Sequence, residues 1–314
     1  MWREQRSLIE VKEFNMAKRL SGIALAIAAL VLFFGALLIA RPWAENWGTT
    51  AAERSSTLPG DELIPPGSTR ATMGLTINAS ADALWPWLAQ FGARRGGLYT
   101  YSWFEGLLNC PVTNADHILT DMPALQVGDQ VRLCPGDFGP PPYTVATLTP
   151  GQSLVLGTRD AQGVAWVSTW QLVLVPLDDH TTRLLLRSGS AAPTAFDTLL
   201  GPGFFVMQRH MLQGFQERAE GAISPWYARD SELAFWLIAF VGFLFLVGAT
   251  AFGHQPMRTF LFAIISAALT LGMIFAQPPV WVDVLGTLLV WAGILWLWRP
   301  RATARYTVQA VNTR

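Results

Sequence analysis

Charge is missing from four long stretches of this 314-residue chain. The runs 20–40, 233–252, 260–276 and 280–298 hold a single formal charge among them, Asp283. A helix rises about 1.5 Å per residue, so roughly 20 uncharged apolar residues span a hydrocarbon core about 30 Å thick. A soluble chain of this length could not bury four such runs. Cysteine is nearly absent as well, with only Cys110 and Cys134. No CxxC pair exists, and the histidines at 117, 180, 210 and 254 are scattered, so spacing offers no metal site. There is no phosphate-cradling glycine loop and no nucleophile elbow. Residues 41–230 carry seventeen acids against twelve arginines, which argues against nucleic acid as a partner. No cofactor is expected.

What is present is a layout: a tail (1–19), a first span (20–40), a globular stretch, spans at 233–252, 260–276 and 280–298, and a tail (299–314). The first run is 21 residues long and is followed by Arg41-Pro42-Trp43, which suits an uncleaved anchor rather than a signal peptide. Arg3, Arg6, Lys12, Lys18 and Arg19 precede it; Arg258 and His254 lie between spans two and three; Arg299, Arg301, Arg305 and Arg314 close the chain. Basic residues flanking spans favour the cytoplasmic side. The expected protein is therefore an integral membrane protein of a bacterial plasma membrane, with both termini cytoplasmic and residues 41–230 outside. Trp43, Trp47, Trp226, Tyr227, Trp281 and Trp298 sit at run ends, where headgroup-level aromatics are favoured. Asp283 falls in the first turn of the last span, with no ionisable group deeper, which argues against an ion pathway.

Within the globular stretch, 41–69 reads as an irregular lead-in rich in Pro, Gly and small polar residues. Met73, Leu75 and Ile77 alternate with smaller residues, the period-two pattern of a strand. Ser80 is a candidate N-cap for a helix carrying Leu84, Trp87, Leu88 and Phe91, in which Pro86 is awkward. Strand-like runs follow at 130–133, 143–148, 153–156, 164–175 and 181–187. A helical stripe of Phe204, Met207, Met211 and Phe215 closes the domain. The expected class is α+β. The two cysteines could pair in an oxidising compartment, adding on the order of 3 kcal/mol through chain entropy. They could equally be two small buried thiols.

The order strand, helices, antiparallel strands, long helix, with the residues on it, resembles the START-like or helix-grip (SRPBCC) superfamily of polyketide cyclases and lipid-transfer domains. The nearer likeness is to a membrane-anchored bacterial branch of uncharacterised proteins. It is carried by Trp47-Gly48 with Leu58-Pro59-Gly60-Asp61; Ile77-Asn78-Ala79-Ser80 with Leu84-Trp85-Pro86-Trp87-Leu88; and Arg95-Gly96-Gly97-Leu98-Tyr99-Thr100-Tyr101 with Trp103 and Glu105. Asn114-Ala115-Asp116, Val127-Gly128-Asp129, Thr169-Trp170, Thr182-Arg183-Leu184 and Met207 to Glu220 extend it. The resemblance implies a helix-grip domain over 70–222: a curved antiparallel sheet around the last helix, with an apolar cavity for a lipid or other hydrophobic small molecule. Arg95, Tyr99, Tyr101, Trp103, Glu105, Trp170, Arg183, Met207 and Met211 would line it.

Each of these also has a plain structural reading. The Arg94–Glu105 group is either a cavity rim or a loop whose rings fill the core. Arg183 and Arg187 share a strand face and are either solvated or acid-binding. Asp116-His117 are neighbours whose side chains diverge in a strand or helix, which argues against direct pairing. His210 borders the apolar stripe, and Met207 and Met211 suit a core as well as a pocket. Besides ligand binding, two other roles stay open: a cyclase- or hydratase-like enzyme using Tyr, Glu or His, and an assembly role in which packed aromatics collapse the pocket. Enzymatic activity is the less favoured expectation, and protein partners are not specified.

Overall fold

The computed structural model describes residues 2–136, 139–225 and 227–299. Trp226, Arg301, Arg305 and Arg314 lie outside the described residues, as do the side chains of Arg3, Arg6 and Lys12. The chain divides into two units, 36–230 and a second made of 1–35 with 231–314.

Four helices are long and apolar enough to cross a membrane: Met16–Glu45 within α1 (Trp2–Glu45), α6 (Glu232–Phe252), α7 (Pro256–Ala276) and α8 (Val280–Leu297). This is an integral membrane protein. The first span packs on α6 through a stripe of small residues, Gly22, Ala26 and Ala29, ending in Phe33. A Cβ on Gly22 would come within 2.7 Å of the Thr250 carbonyl oxygen, so glycine sets that approach. Phe33 stacks on Phe243 at 4.8 Å. Leu20, Ile23, Ile27 and Val31 on the other side are exposed, as a lipid-facing surface requires. Hydroxyls inside the bundle bond to helix carbonyls, Thr250 to Leu246 (2.8 Å) and Thr270 to Ser266 (2.9 Å).

The 36–230 unit is built on a six-stranded antiparallel sheet. Its strands are β1 (Thr69–Ile77), β2 (Gln130–Val131), β3 (Tyr143–Thr149), β4 (Ser153–Arg159), β5 (Trp166–Pro176) and β6 (Thr182–Ser190), in the order β1-β6-β5-β4-β3-β2. Around it lie α2 (Ala51–Ser55), α3 (Ala81–Ala89), α4 (Ser102–Leu107) and α5 (Ala195–Ala219). Ser80 caps α3, its hydroxyl accepting from the Ala83 amide, and the helix runs through Pro86.

The helix-grip expectation fails here. The sheet is open and does not curl. Closure would need its edges β1 and β2 to meet, and β2 is two residues long. The long helix α5 rests against α3 and β1 instead of being gripped. Among the described residues, rings pack between helix and sheet. Phe91 meets Trp170 (5.5 Å) and Phe215 (6.0 Å), and Tyr99 meets Phe215 (4.9 Å). The START-like, SRPBCC, lipid-binding and polyketide-cyclase-like readings fall with the curled sheet they require.

The lead-in is not irregular padding. It covers the second face of the sheet, where Leu58 packs with Val173 and Leu185. Helix α2 starts with a capping box between Thr50 and Glu53. Arg187 on β6, 1% exposed, then ties the segment down. Its guanidinium donates to Asp61 Oδ2 (2.6 Å), Thr72 Oγ1 (2.9 Å) and the carbonyls of Ser56 (2.8 Å) and Glu53 (2.8 Å). Arg183, four residues away on the same face, donates to Glu53 Oε1 (2.7 Å) and to the Gly48 carbonyl. That pairing holds the Glu53 carboxyl down at about 2. A planar fork of five N–H donors suits this task where a lysine would not.

Candidate functional site

The segment after α3 folds back on itself. Gly92 and Gly97 form an isolated bridge, and Gly97 has φ +100 with its Cα against the Thr113–Asn114 backbone, so only glycine fits. Asn114 stitches the loop. Its Oδ1 accepts from the amides of Leu98 (3.1 Å) and Tyr99 (2.7 Å), and its Nδ2 donates to the Thr100 carbonyl (2.8 Å) and Ser102 Oγ (2.9 Å). Cys110 and Cys134 are joined by a disulfide with Cα atoms 5.1 Å apart, which ties the residues after α4 to those after β2.

This scaffold fixes Thr100, Tyr101, Trp103 and Glu105 beside α5 and the residues that end the unit. Glu105, on α4, is 5% exposed. The Thr100 hydroxyl donates to its Oε1, while Oε2 is buried with no hydrogen-bond partner. His210, from α5 and fully buried, has Nε2 2.9 Å from Asp230 Oδ1. The Tyr101 ring stacks on that imidazole at 3.7 Å. Trp103 Nε1 donates to the Asp230 carbonyl at 2.9 Å. Arg229 lies 3.4 Å from Glu217 Oε1 and 3.9 Å from Asp230 Oδ1. Burial pushes the Glu105 carboxyl up to about 7; the Thr100 hydrogen bond opposes this, and the Asp230 charge adds to it. Such a group exchanges a proton near neutrality while its neighbours carry both signs of charge.

The structure brings together three of the residues singled out from sequence, Tyr101, Trp103 and Glu105. The others serve elsewhere. Arg95 donates to the carbonyls of Pro123 (2.7 Å) and Ala89 (3.2 Å). The Tyr99 hydroxyl accepts from Gln90 (3.0 Å) and donates to the Trp87 carbonyl (3.2 Å), and burial raises it to about 12. Arg218 lies over that ring at 4.4 Å. Trp170 packs between Phe91 and Tyr143. Arg183 belongs to the lead-in, Met211 is core, and Met207 is half-buried on α5. Asp230 carried no sequence signal. His210 did, through its place beside the Met stripe. Asp116 and His117 do pair, at 2.7 Å, because they sit in a bend rather than a regular element, and both are largely exposed.

Two crevices elsewhere do not touch this site: one is lined by Trp43, Asn46, Thr49 and Arg54, the other by Phe262, Ser266 and Leu289. Among the described residues no three His, Cys, Asp or Glu side chains converge as metal ligands.

No family model matches the chain, and no curated protein matches it. Two solved structures are similar to part of it. One is a conserved protein of unknown function, EF2215, from Enterococcus faecalis: 13% identical, covering 52% of this chain and 77% of that one, TM-score 0.33. The other is a protein from Arthrobacter aurescens: 12% identical, covering 53% and 92%, TM-score 0.31. At those scores neither likeness carries an argument about fold or function.

Proposed function

We propose that this protein is a membrane-anchored sensor of acidity, with both termini cytoplasmic and residues 41–230 outside the cytoplasm. Two observations support the orientation. Lys18, Arg19 and Arg258 share one end of the bundle, since Gly22 packs where α6 ends and α7 begins. A disulfide between Cys110 and Cys134 belongs in an oxidising compartment. The observation that carries the sensing role is the buried Glu105 with one oxygen unpartnered, beside the charge of Asp230, which in turn meets His210 and lies near Arg229. Proton exchange is the chemistry this arrangement favours, because Glu105 is buried and keeps one oxygen without a hydrogen-bond partner.

The sign is fixed by the shift. Glu105 moves from 4.5 to about 7 on folding, so the folded state holds its proton more tightly. Its contribution to stability is full below pH 4.5, falls as pH rises to about 7, and then levels off about 3 kcal/mol lower. Thermal unfolding of the full-length protein from pH 5 to 9 should show this decline. Glu105→Gln should flatten it and stabilise the protein at pH 8. Hydrogen-exchange protection over 98–117, taken relative to the intrinsic base-catalysed rate, should be lower at pH 8 than at pH 5.5 in the wild type only. Parallel pH profiles for the two proteins would sink the proposal.

A further inference from the structure

Where α8 begins and α7 ends, the membrane bundle holds buried polar atoms without hydrogen-bond partners, on Asp283 and Gln277. Asp283, fully buried in the first turn of α8, receives Trp236 Nε1 on Oδ1 at 3.0 Å. Its Oδ2 is buried with no hydrogen-bond partner. Six residues earlier, the Gln277 side chain has both its oxygen and its nitrogen buried and unpartnered. Gln277 also holds φ 43, a left-handed conformation that costs a non-glycine residue energy and that clusters at functional sites. Gly286 rests on Met273, which brings α7 and α8 together at this level.

The positive charges are elsewhere. Between Ser231 and Trp298 the only basic residues are His254 and Arg258. Both belong to the opposite end, where Arg258 lies over the Trp296 ring at 4.2 Å. A buried carboxylate in a membrane bundle needs a counter-charge, and it marks a site by default.

We propose that this end of the bundle binds one hard monovalent cation of the sodium class, taken by Asp283 Oδ2 and the Gln277 amide oxygen. Oxygen donors select hard cations, and the absence of Cys and His disfavours soft metals. One carboxylate neutralises a monovalent cation, whereas a buried calcium ion would be left with net positive charge.

The test is thermal unfolding of the full-length protein in nanodiscs, with Na+ exchanged for N-methylglucamine at constant ionic strength and pH. Na+ at 100 times its half-saturating concentration should shift the folding equilibrium about 100-fold toward the folded state. Asp283→Asn should remove this dependence, and Gln277→Leu should weaken the apparent affinity about tenfold or more. If Asp283→Asn does not fold, the wild-type titration and Gln277→Leu decide. The proposal is overturned if Na+, K+ and Li+ leave the wild type unmoved, if only pH moves it, or if a folded variant keeps the full response. Glu105 lies in the other unit, so failure here leaves the acidity reading standing.

Discussion

On one face of the sheet Arg187 meets Asp61 and a row of carbonyls, and Arg183 meets Glu53, so opposite charges are matched donor for acceptor. Against the other face, Glu105 shares its neighbourhood with another acid, Asp230, and leaves an oxygen without a donor. Both clusters are buried, yet they differ in kind. Matched charges lower the affinity of Glu53 for its proton and fasten the lead-in. The mismatched one raises the affinity of Glu105 and leaves a group that can change state. Burial of charge is therefore no guide to role by itself; what separates the two is whether the hydrogen bonds are complete.

The largest effect should come from breaking the matched side. Arg187→Ala leaves the mostly buried Asp61 carboxylate with Arg70 as its counter-charge and strands several carbonyls, which should cost about 3 kcal/mol in urea unfolding and expose 46–64 to protease. Arg187→Lys should recover little of it, because an ammonium cannot reach five acceptors in a plane. A loss under 1 kcal/mol would show that the lead-in is held by apolar contacts alone.

The second effect sharpens the comparison through pH. Glu53 drops from 4.5 to about 2 on folding, so its contribution is present above pH 4.5 and is lost as pH falls toward 2. Its side chain is 23% exposed, so after screening the effect should be about 1–2 kcal/mol. The two clusters thus pull in opposite directions, Glu53 below pH 4.5 and Glu105 above it, which puts maximal stability near pH 4.5. Glu53→Gln should remove only the acid limb, and a wild-type profile without that limb counts against the pairing.

The spans were legible because the signal is local: about 20 apolar residues in a row mean the same thing in any context. Alternation located the strands, and the even spacing of Arg183 and Arg187 put them on one face. Neither could show what that face meets, because Asp61 lies 126 residues away from Arg187. Sheet curvature was equally illegible. Periodicity reports which residues alternate, not whether two edges approach, and the helix-grip expectation broke on a two-residue edge strand. The candidate site was half legible. Tyr101, Trp103 and Glu105 stood out as a dense polar-aromatic group, whereas Asp230 enters only through the fold.

The smallest effect belongs to a third kind of pair, matched but solvated. Asp116 Oδ1 and His117 Nδ1 are 2.7 Å apart, close to the 2.6 Å between Arg187 and Asp61, yet their side chains are 77% and 72% exposed. The neighbouring imidazole lowers the Asp116 carboxyl, so geometry and charge alone would rank this pair with the others. Water separates the cases. It solvates either partner once the other is gone, so no unpaired buried charge is left behind. Asp116→Ala should leave the unfolding midpoint within error of wild type from pH 5 to 8, under conditions where Arg187→Ala and Glu105→Gln both move it. A clear loss would mean that contact distance, rather than the completeness of hydrogen bonding under burial, sets the worth of a charge in this domain.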